Sequence, residues 1–339
     1  MQSQQVLRSP APHRCPTPEP ERYDLGPPRP PAALPSFWTD LYEVRADATP
    51  IGGGAFAEVF KVRHRQTHQC FAVKVMHKPN FTNRGIERQI DAEIEAMRAA
   101  ASLEDSPEAP EIAEGHHVVR LLDFAEENDY VYLLLELCEE GDLLRRLHAE
   151  PKQRFCEASG AIWARQLFLG LRTVHSLGFL HRDIKPDNLL CTDGGVLKIA
   201  DFGWCCLSRE APMCLAGTFQ YMAPEVLRNA PQTEQVDVWS AGVTLYQILL
   251  GRPLLNTYLG AGATQLSECD PHRATAIKQR WLIEEILATC PPPHECRPEE
   301  LSRDCWDFLR RALMPEPTQR ISVDAALEHP WLAAAPFQL

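Results

Sequence analysis

The sequence predicts an α+β protein of two unlike lobes, a small antiparallel β-rich one followed by a larger helical one. Three observations carry this. Before residue 137, β-branched and aromatic runs recur between glycine and polar turns. Beyond Gly141, apolar residues recur at helical spacing instead. The chain has 339 residues, 45% hydrophobic and 24% charged, so it is long enough to bury two cores.

Taken in order, the chain begins with a stretch unsuited to folding. Eleven of its 29 prolines fall in the first 50 residues, mixed with Ser, Thr, Arg and Gln. Residues 1–36 have too few apolar groups to offset ordering entropy, so a disordered tail is expected. Leu41-Tyr-Glu-Val44 reads as a strand, a glycine turn at 52–54 enters a second, and 70–76 forms a third. Residues 86–101 have helical spacing, with Ile90, Ile94 and Met97 along one stripe. Residues 101–115 hold five acids and no base and read as a solvated loop. Strand texture returns at 118–124 and 130–137, and helices are expected at 158–177, 236–250, 274–288 and 301–313. The predicted lobes are therefore 37–137 and 142–334, with a hinge at 136–141 and a short tail at 335–339.

Composition excludes several functions. A net charge of −12 argues against direct nucleic-acid binding through phosphate neutralisation. No apolar run approaches the ~18 residues of a membrane span. Met1-Gln-Ser-Gln-Gln carries neither a secretory leader nor a myristoylation signal, so a soluble intracellular protein is expected. Twelve cysteines without paired C-x-x-C knuckles read as free thiols, including the loose Cys290, His294 and Cys296 grouping.

The chemistry begins at Gly52, Gly53 and Gly54. Such a turn is either a tight hairpin or a flap whose backbone N–H groups lie over nucleotide phosphates. Ala72-Val-Lys74 follows in a strand, where a lysine among apolar neighbours needs an anion. Glu93 on the next helix is placed to supply one. The decisive segments are His181-Arg-Asp-Ile-Lys-Pro-Asp-Asn188 and Asp201-Phe-Gly203. Gly217-Thr-Phe-Gln-Tyr-Met-Ala-Pro-Glu225 and Asp237-Val-Trp-Ser-Ala-Gly242 follow in order. Across roughly residues 40–334 the chain resembles the eukaryotic protein kinases.

That resemblance implies the bilobal kinase fold and phosphoryl transfer from Mg-ATP to protein Ser/Thr hydroxyls. It makes Asp183 the acceptor of the substrate hydroxyl proton and sets Lys185 against the γ-phosphate. Lys74, oriented by Glu93, grips the earlier phosphates. Asn188 and Asp201 are the implied Mg²⁺ ligands. The flap is Gly52, Gly53, Gly54, Ala55, Phe56 and Ala57, and Val59, Ala72 and Leu190 sandwich the adenine. Leu135 is the gatekeeper, with Glu136 to Cys138 as the hinge. Phe202, His181, Met97 and Leu121 correspond to the apolar stack joining the lobes, and Glu225 to a structural partner of Arg320. Lys185 and Thr218 are marks of the Ser/Thr type.

Within the superfamily the sequence is most similar to the Aurora kinases, through the gap-free 75–93 register, Trp204 after the metal-binding motif, and His329-Pro-Trp331. This implies a cell-cycle kinase, cytoplasmic or else nuclear or spindle-associated, and an activating protein partner. Glu139, Glu140, Asp142 and Asp187 border the implied substrate groove, so Arg or Lys upstream of the target hydroxyl is expected. The chain departs from the Auroras at 101–115, at 256–275, and at Cys214, which stands where an activating threonine belongs. The activation segment is therefore expected to order without phosphate, with Glu210 or a partner supplying negative charge, in preference to Ser208 carrying a phosphate from an unusual position. Cys205, Cys206 and Cys214 also permit redox control through a thiolate near Arg182, against the plainer reading of incidental small residues. The alternatives are a pseudokinase scaffold and an active kinase of another Ser/Thr group.

Overall fold

The computed structural model describes residues 34–44, 49–54, 56–104, 116–257, 266 and 269–336. The expected tail up to residue 33, Ala55, the acidic stretch 105–115 and residues 258–265 of the expected insertion lie outside the described residues.

The first lobe is built on a six-stranded antiparallel sheet. Its strands are β1 (Tyr42–Glu43), β2 (Gly52–Gly53), β3 (Ala57–His64), β4 (Cys70–His77), β5 (Leu121–Glu127) and β6 (Tyr130–Glu136). The order is β1-β3-β4-β6-β5, with β2 also paired to β3. Strand alternation gives the sheet two apolar faces. Ala72 and Met76 look inward with Leu133 and Leu135, against helix α2 (Arg88–Glu104). Val62, Val73, Ala125, Tyr132 and Leu134 look outward. A short helix, α1 (Lys78–Thr82), precedes α2 and buries Phe81.

The outward face is covered by the segment just before β1. Trp38 is 1% exposed, lies edge-on to Tyr132 and donates from Nε1 to Asp123 Oδ2 at 3.1 Å. Leu34 is buried beside it, and Ser36 Oγ donates to Glu127 Oε1 at 2.9 Å. The expected tail boundary at residue 36 is thus too late. One tryptophan and one leucine bury enough apolar surface to order this strap.

The second lobe is helical. Its main helices are α3 (Leu143–Ala149), α4 (Glu157–Ser176), α5 (Pro224–Leu227), α6 (Gln235–Leu250), α7 (Pro271–Thr289), α8 (Arg303–Ala312), α9 (Val323–Leu327) and α10 (Pro330–Ala333). Buried α4 and α6 pack on each other through the middle of the lobe. An added Cβ at Gly160 of α4 would stand 2.4 Å from Leu249 of α6, so a small residue sets their approach. Strands β7 (Phe179–Leu180) and β10 (Cys206–Leu207) pair, as do β8 (Leu189–Cys191) and β9 (Leu197–Ile199).

The expected strand at 118–124 begins later than its texture suggests. Val118 makes an isolated parallel bridge to Ile199, and Val119 N–H donates to the Ile199 carbonyl at 2.9 Å. These residues belong to the crossing between lobes, where the backbone pairs with β9 before joining the sheet. After β6 the chain crosses back, with Cys191 N–H donating to the Gly141 carbonyl at 2.8 Å. Among the described residues no helix is long and apolar enough to cross a membrane.

Candidate active site

The site lies between the lobes, and strand alternation places its first charge. Lys74 shares the inward face of β4 with Ala72 and Met76, and its Nζ donates to Glu93 Oε1 at 2.6 Å and Asp201 Oδ1 at 2.7 Å. Burial works to lower the Lys74 pKa, but the two carboxylates outweigh it and hold it raised. Lys74 in turn pulls the Asp201 carboxyl down to about 2. Burial pushes Glu93 up while Lys74 pulls against it. Asp201 sits at φ 59°, in the left-handed region, at the mouth of the Asp201-Phe-Gly203 turn. Phe202 packs edge-on against His181 with ring centroids 4.9 Å apart, and Met97 and Leu121 are buried in the same core. All four members of the expected inter-lobe stack are buried, and His181 and Phe202 are in ring contact.

The loop 181–188 is set by a residue whose role the sequence reading missed. Asp237, fully buried in the first turn of α6, accepts the N–H of His181 at 2.9 Å and of Arg182 at 2.7 Å. His175 Nε2 lies 2.8 Å from the same carboxylate. Burial raises the Asp237 pKa, but His175 and the N–H donors prevail and hold it below the usual value. The available signal was a lone charged residue in the stretch 236–250, whose other polar residues are the uncharged Ser240, Thr244 and Gln247.

Asp183 gathers the loop. Its Oδ1 accepts Thr218 N–H at 2.9 Å and the Thr218 hydroxyl at 2.8 Å. Its Oδ2 accepts Lys185 Nζ at 2.8 Å and Asn188 Nδ2 at 3.0 Å. Lys185 Nζ also donates to Thr218 Oγ1 at 2.8 Å, closing a ring of three side chains. Gly217, at φ 91°, lets the segment lie on this loop, because an added Cβ would stand 2.2 Å from the Arg182 carbonyl oxygen.

The implied nucleotide residues lie on or beside β2, β3, β4 and β6 and on the β8–β9 hairpin. Register pairs Gly52 with Val59, Val59 with Lys74 and Ala72 with Leu135. Leu190 pairs with Lys198 in the β8–β9 hairpin and bridges to Asp142 at the lobe crossing. Gly52, Gly53 and Gly54 are exposed, and an added Cβ at Gly54 would meet nothing within 4 Å. Ala57 follows in β3, its carbonyl accepting Gly54 N–H at 2.9 Å. Phe56 folds against Phe81 and lies edge-on to Trp204, with centroids 5.2 and 6.0 Å away. The Glu136 side chain is engaged structurally, with Oε1 accepting Arg120 N–H at 2.7 Å and Lys198 Nζ at 2.5 Å. Burial pushes the Cys138 thiol up to about 12, so it acts as a small apolar group. Away from the cleft, Arg320 donates to both Glu225 oxygens, at 2.7 and 3.1 Å.

In the activation segment Glu210 does not bring the charge to Arg182, which leaves that role to a partner, and Cys205 and Cys206 fit the plainer reading of small packed residues. Arg182 is met by the Trp204 carbonyl at 2.8 Å and Cys214 Sγ at 3.6 Å; among the described residues it forms no ion pair with Glu210. Burial pushes Cys206 up to about 12 and Cys205 well above its ordinary value, the reverse of an activated thiolate. Paired on β7, Cys206 is a packed residue of the lobe.

The fold and these motifs define a protein kinase: the protein kinase domain family matches residues 46–332, and the chain belongs to it. Among relatives, Aurora kinase A-A of Xenopus laevis is 32% identical over 286 residues, covering 84% of this chain and 60% of that protein. The Aurora kinase of Schizosaccharomyces pombe is 28% identical over 300 residues, covering 87% of this chain and 72% of its own. The serine/threonine-protein kinase GD17699 of Drosophila simulans is 32% identical, covering 83% of this chain and 34% of its own. The chain thus spans about 60% of the length of the Xenopus relative it matches.

Proposed function

We propose that this chain is an ATP-dependent protein Ser/Thr kinase of Aurora-like type. The observation that carries the reading is Lys74 bridging Glu93 and Asp201, at 2.6 and 2.7 Å, beside an Asp183 already ringed by Lys185, Asn188 and Thr218. A scaffold without catalysis has no need of this three-way charge arrangement. Lys74 binds the earlier phosphates of ATP, and Val59, Ala72, Leu135, Leu190 and the backbone at Glu136 to Cys138 hold the adenine. Gly52, Gly53, Gly54, Phe56 and Ala57, with Ala55 outside the described residues, supply the flap.

The oxygens at hand suit magnesium. Asn188 uses only Nδ2, and Asp201 only Oδ1, in the contacts above, which leaves Asn188 Oδ1 and Asp201 Oδ2 as hard donors among the described residues. Asn188 and Asp201 would hold the metal through these oxygens, and it would supply charge that neutralises the phosphates. Asp183 orients the substrate hydroxyl and accepts its proton, while Lys185 screens that carboxylate from the γ-phosphate. Exposed Asp187, with Glu139 and Glu140, supports a preference for Arg or Lys upstream of the target. An activating protein partner and a nuclear or spindle location belong to the same Aurora-like reading.

The test is transfer of labelled phosphate from Mg-ATP to a library of Ser/Thr peptides. Wild type should label basic-flanked peptides and Asp201→Asn should not. Nucleotide binding without transfer in wild type would favour the scaffold reading.

A further inference from the structure

Arg182 is a buried cation, 6% exposed, whose side-chain partners are the Trp204 carbonyl and the Cys214 sulfur. Kinase loops ordered by phosphorylation place a phosphate against such an arginine. Here that route is closed. Between Gly203 and Gly217 the one hydroxyl side chain is Ser208, and its Oγ donates to Glu234 Oε1 at 2.9 Å. A phosphate on Ser208 would press a dianion against that carboxylate.

The segment is fastened nonetheless. Gln232, between α5 and α6, is 0% exposed. Its backbone N–H donates to the Pro212 carbonyl at 3.0 Å and its Nε2 donates to the Cys214 carbonyl at 2.8 Å. These two carbonyls flank Met213, which is turned to solvent. Among the described residues Gln232 Oε1 is buried without a hydrogen-bond partner, so the stabilising contribution of the side chain lies in its donor. Asp237 follows on the first turn of α6 and carries the N–H groups of His181 and Arg182. One short stretch therefore grips the activation segment at one end and the catalytic loop at the other.

We propose that Gln232 is a positioning residue that, with Asp237, registers segment 212–218 on Asp183 without any phosphate on that segment. The proposal rests on the kinase reading for its catalytic consequence, though the clamp itself is a property of the fold. In this arrangement Thr218 is held on Asp183 from the start, and the Cys214 thiol needs only to accept from Arg182.

The experiment compares wild type, made free of phosphate and verified by mass, with Gln232→Met, which keeps side-chain length and removes the donor. Hydrogen exchange at 212–216 should rise about tenfold in the variant, and kcat on a peptide should fall by a similar factor, the worth of one hydrogen bond. The KM for ATP should stay within about twofold, because the nucleotide residues are untouched, whereas general loosening of the fold would move both constants. Phosphatase should leave wild-type kcat unchanged. Unaltered exchange and kcat in Gln232→Met would overturn the proposal. So would loss of wild-type activity after phosphatase, which decides the matter even where the variant does not fold. If wild type transfers no phosphate to any substrate, the kinase reading fails, and exchange at 212–216 still tests the clamp.

Discussion

Replacing Lys74 by methionine separates the two tasks proposed for this residue. Its ammonium lies between Glu93, 2% exposed, and Asp201, half of whose side chain is open to solvent. Methionine keeps the length and apolar stem but leaves two carboxylates facing each other across the gap. Loss of one charge-assisted contact to the transferring phosphates should cost ~2–4 kcal/mol of transition-state stabilisation, about 10²–10³ in rate. Removing the partner of buried Glu93 should also destabilise the fold at neutral pH, by up to ~3–5 kcal/mol. Adding Glu93→Gln removes the stranded charge, so the double variant should recover much of the lost melting temperature and none of the lost turnover. Thermal unfolding without nucleotide and single-turnover phosphate transfer read these two quantities independently. Turnover near wild type in Lys74→Met would refute the role given to this lysine. Recovery of activity together with stability in the double variant would mean that its role is structural alone.

Three further outcomes are expected. Glu225→Ala leaves Arg320 buried without its carboxylate and should destabilise the protein by ~3–5 kcal/mol, less when Arg320→Met accompanies it, as read by denaturant unfolding. Trp38→Ala should cost ~3–5 kcal/mol by unmaking the cover of the outer sheet face, with unfolding by circular dichroism as the measure. Asp201, held at about 2 by Lys74 and thus below its ordinary value, stabilises the fold above pH 4. That contribution should fade as pH drops through about 2, and Lys74→Met should lose this part of the acid transition.

The two lobes were legible because their periodicities differ. Apolar, β-rich runs such as 70–76 and 130–137 emerge as β4 and β6, and the helically patterned stretch 236–250 as α6, which starts one residue earlier. The candidate site was legible where function dictates residue type, as at Lys74, Asp183 and Asp201. What escaped were contacts made by ordinary residues through tertiary placement. Gln232 has no local signal, since a glutamine in a polar connection looks solvated until the activation segment folds over it. Trp38 follows a proline-rich stretch whose composition argues for disorder, and only the apolar outer face of a sheet formed later in the chain orders it. Glu136 reads as a hinge position, but its carboxylate is engaged by Lys198, 62 residues on.

The strap at 34–41 can be regarded as a ligand that the lobe carries with it. It lies ahead of residue 46, where the family match begins, and leads directly into β1. A fragment cut at that family boundary would leave Val62, Val73, Ala125, Tyr132 and Leu134 facing water, a contiguous patch of the kind that drives association. Any protein seeking the same face must compete with a covalently tethered occupant, whose effective concentration is about millimolar for a short linker. Micromolar binders would therefore gain little hold there unless Trp38 were first withdrawn.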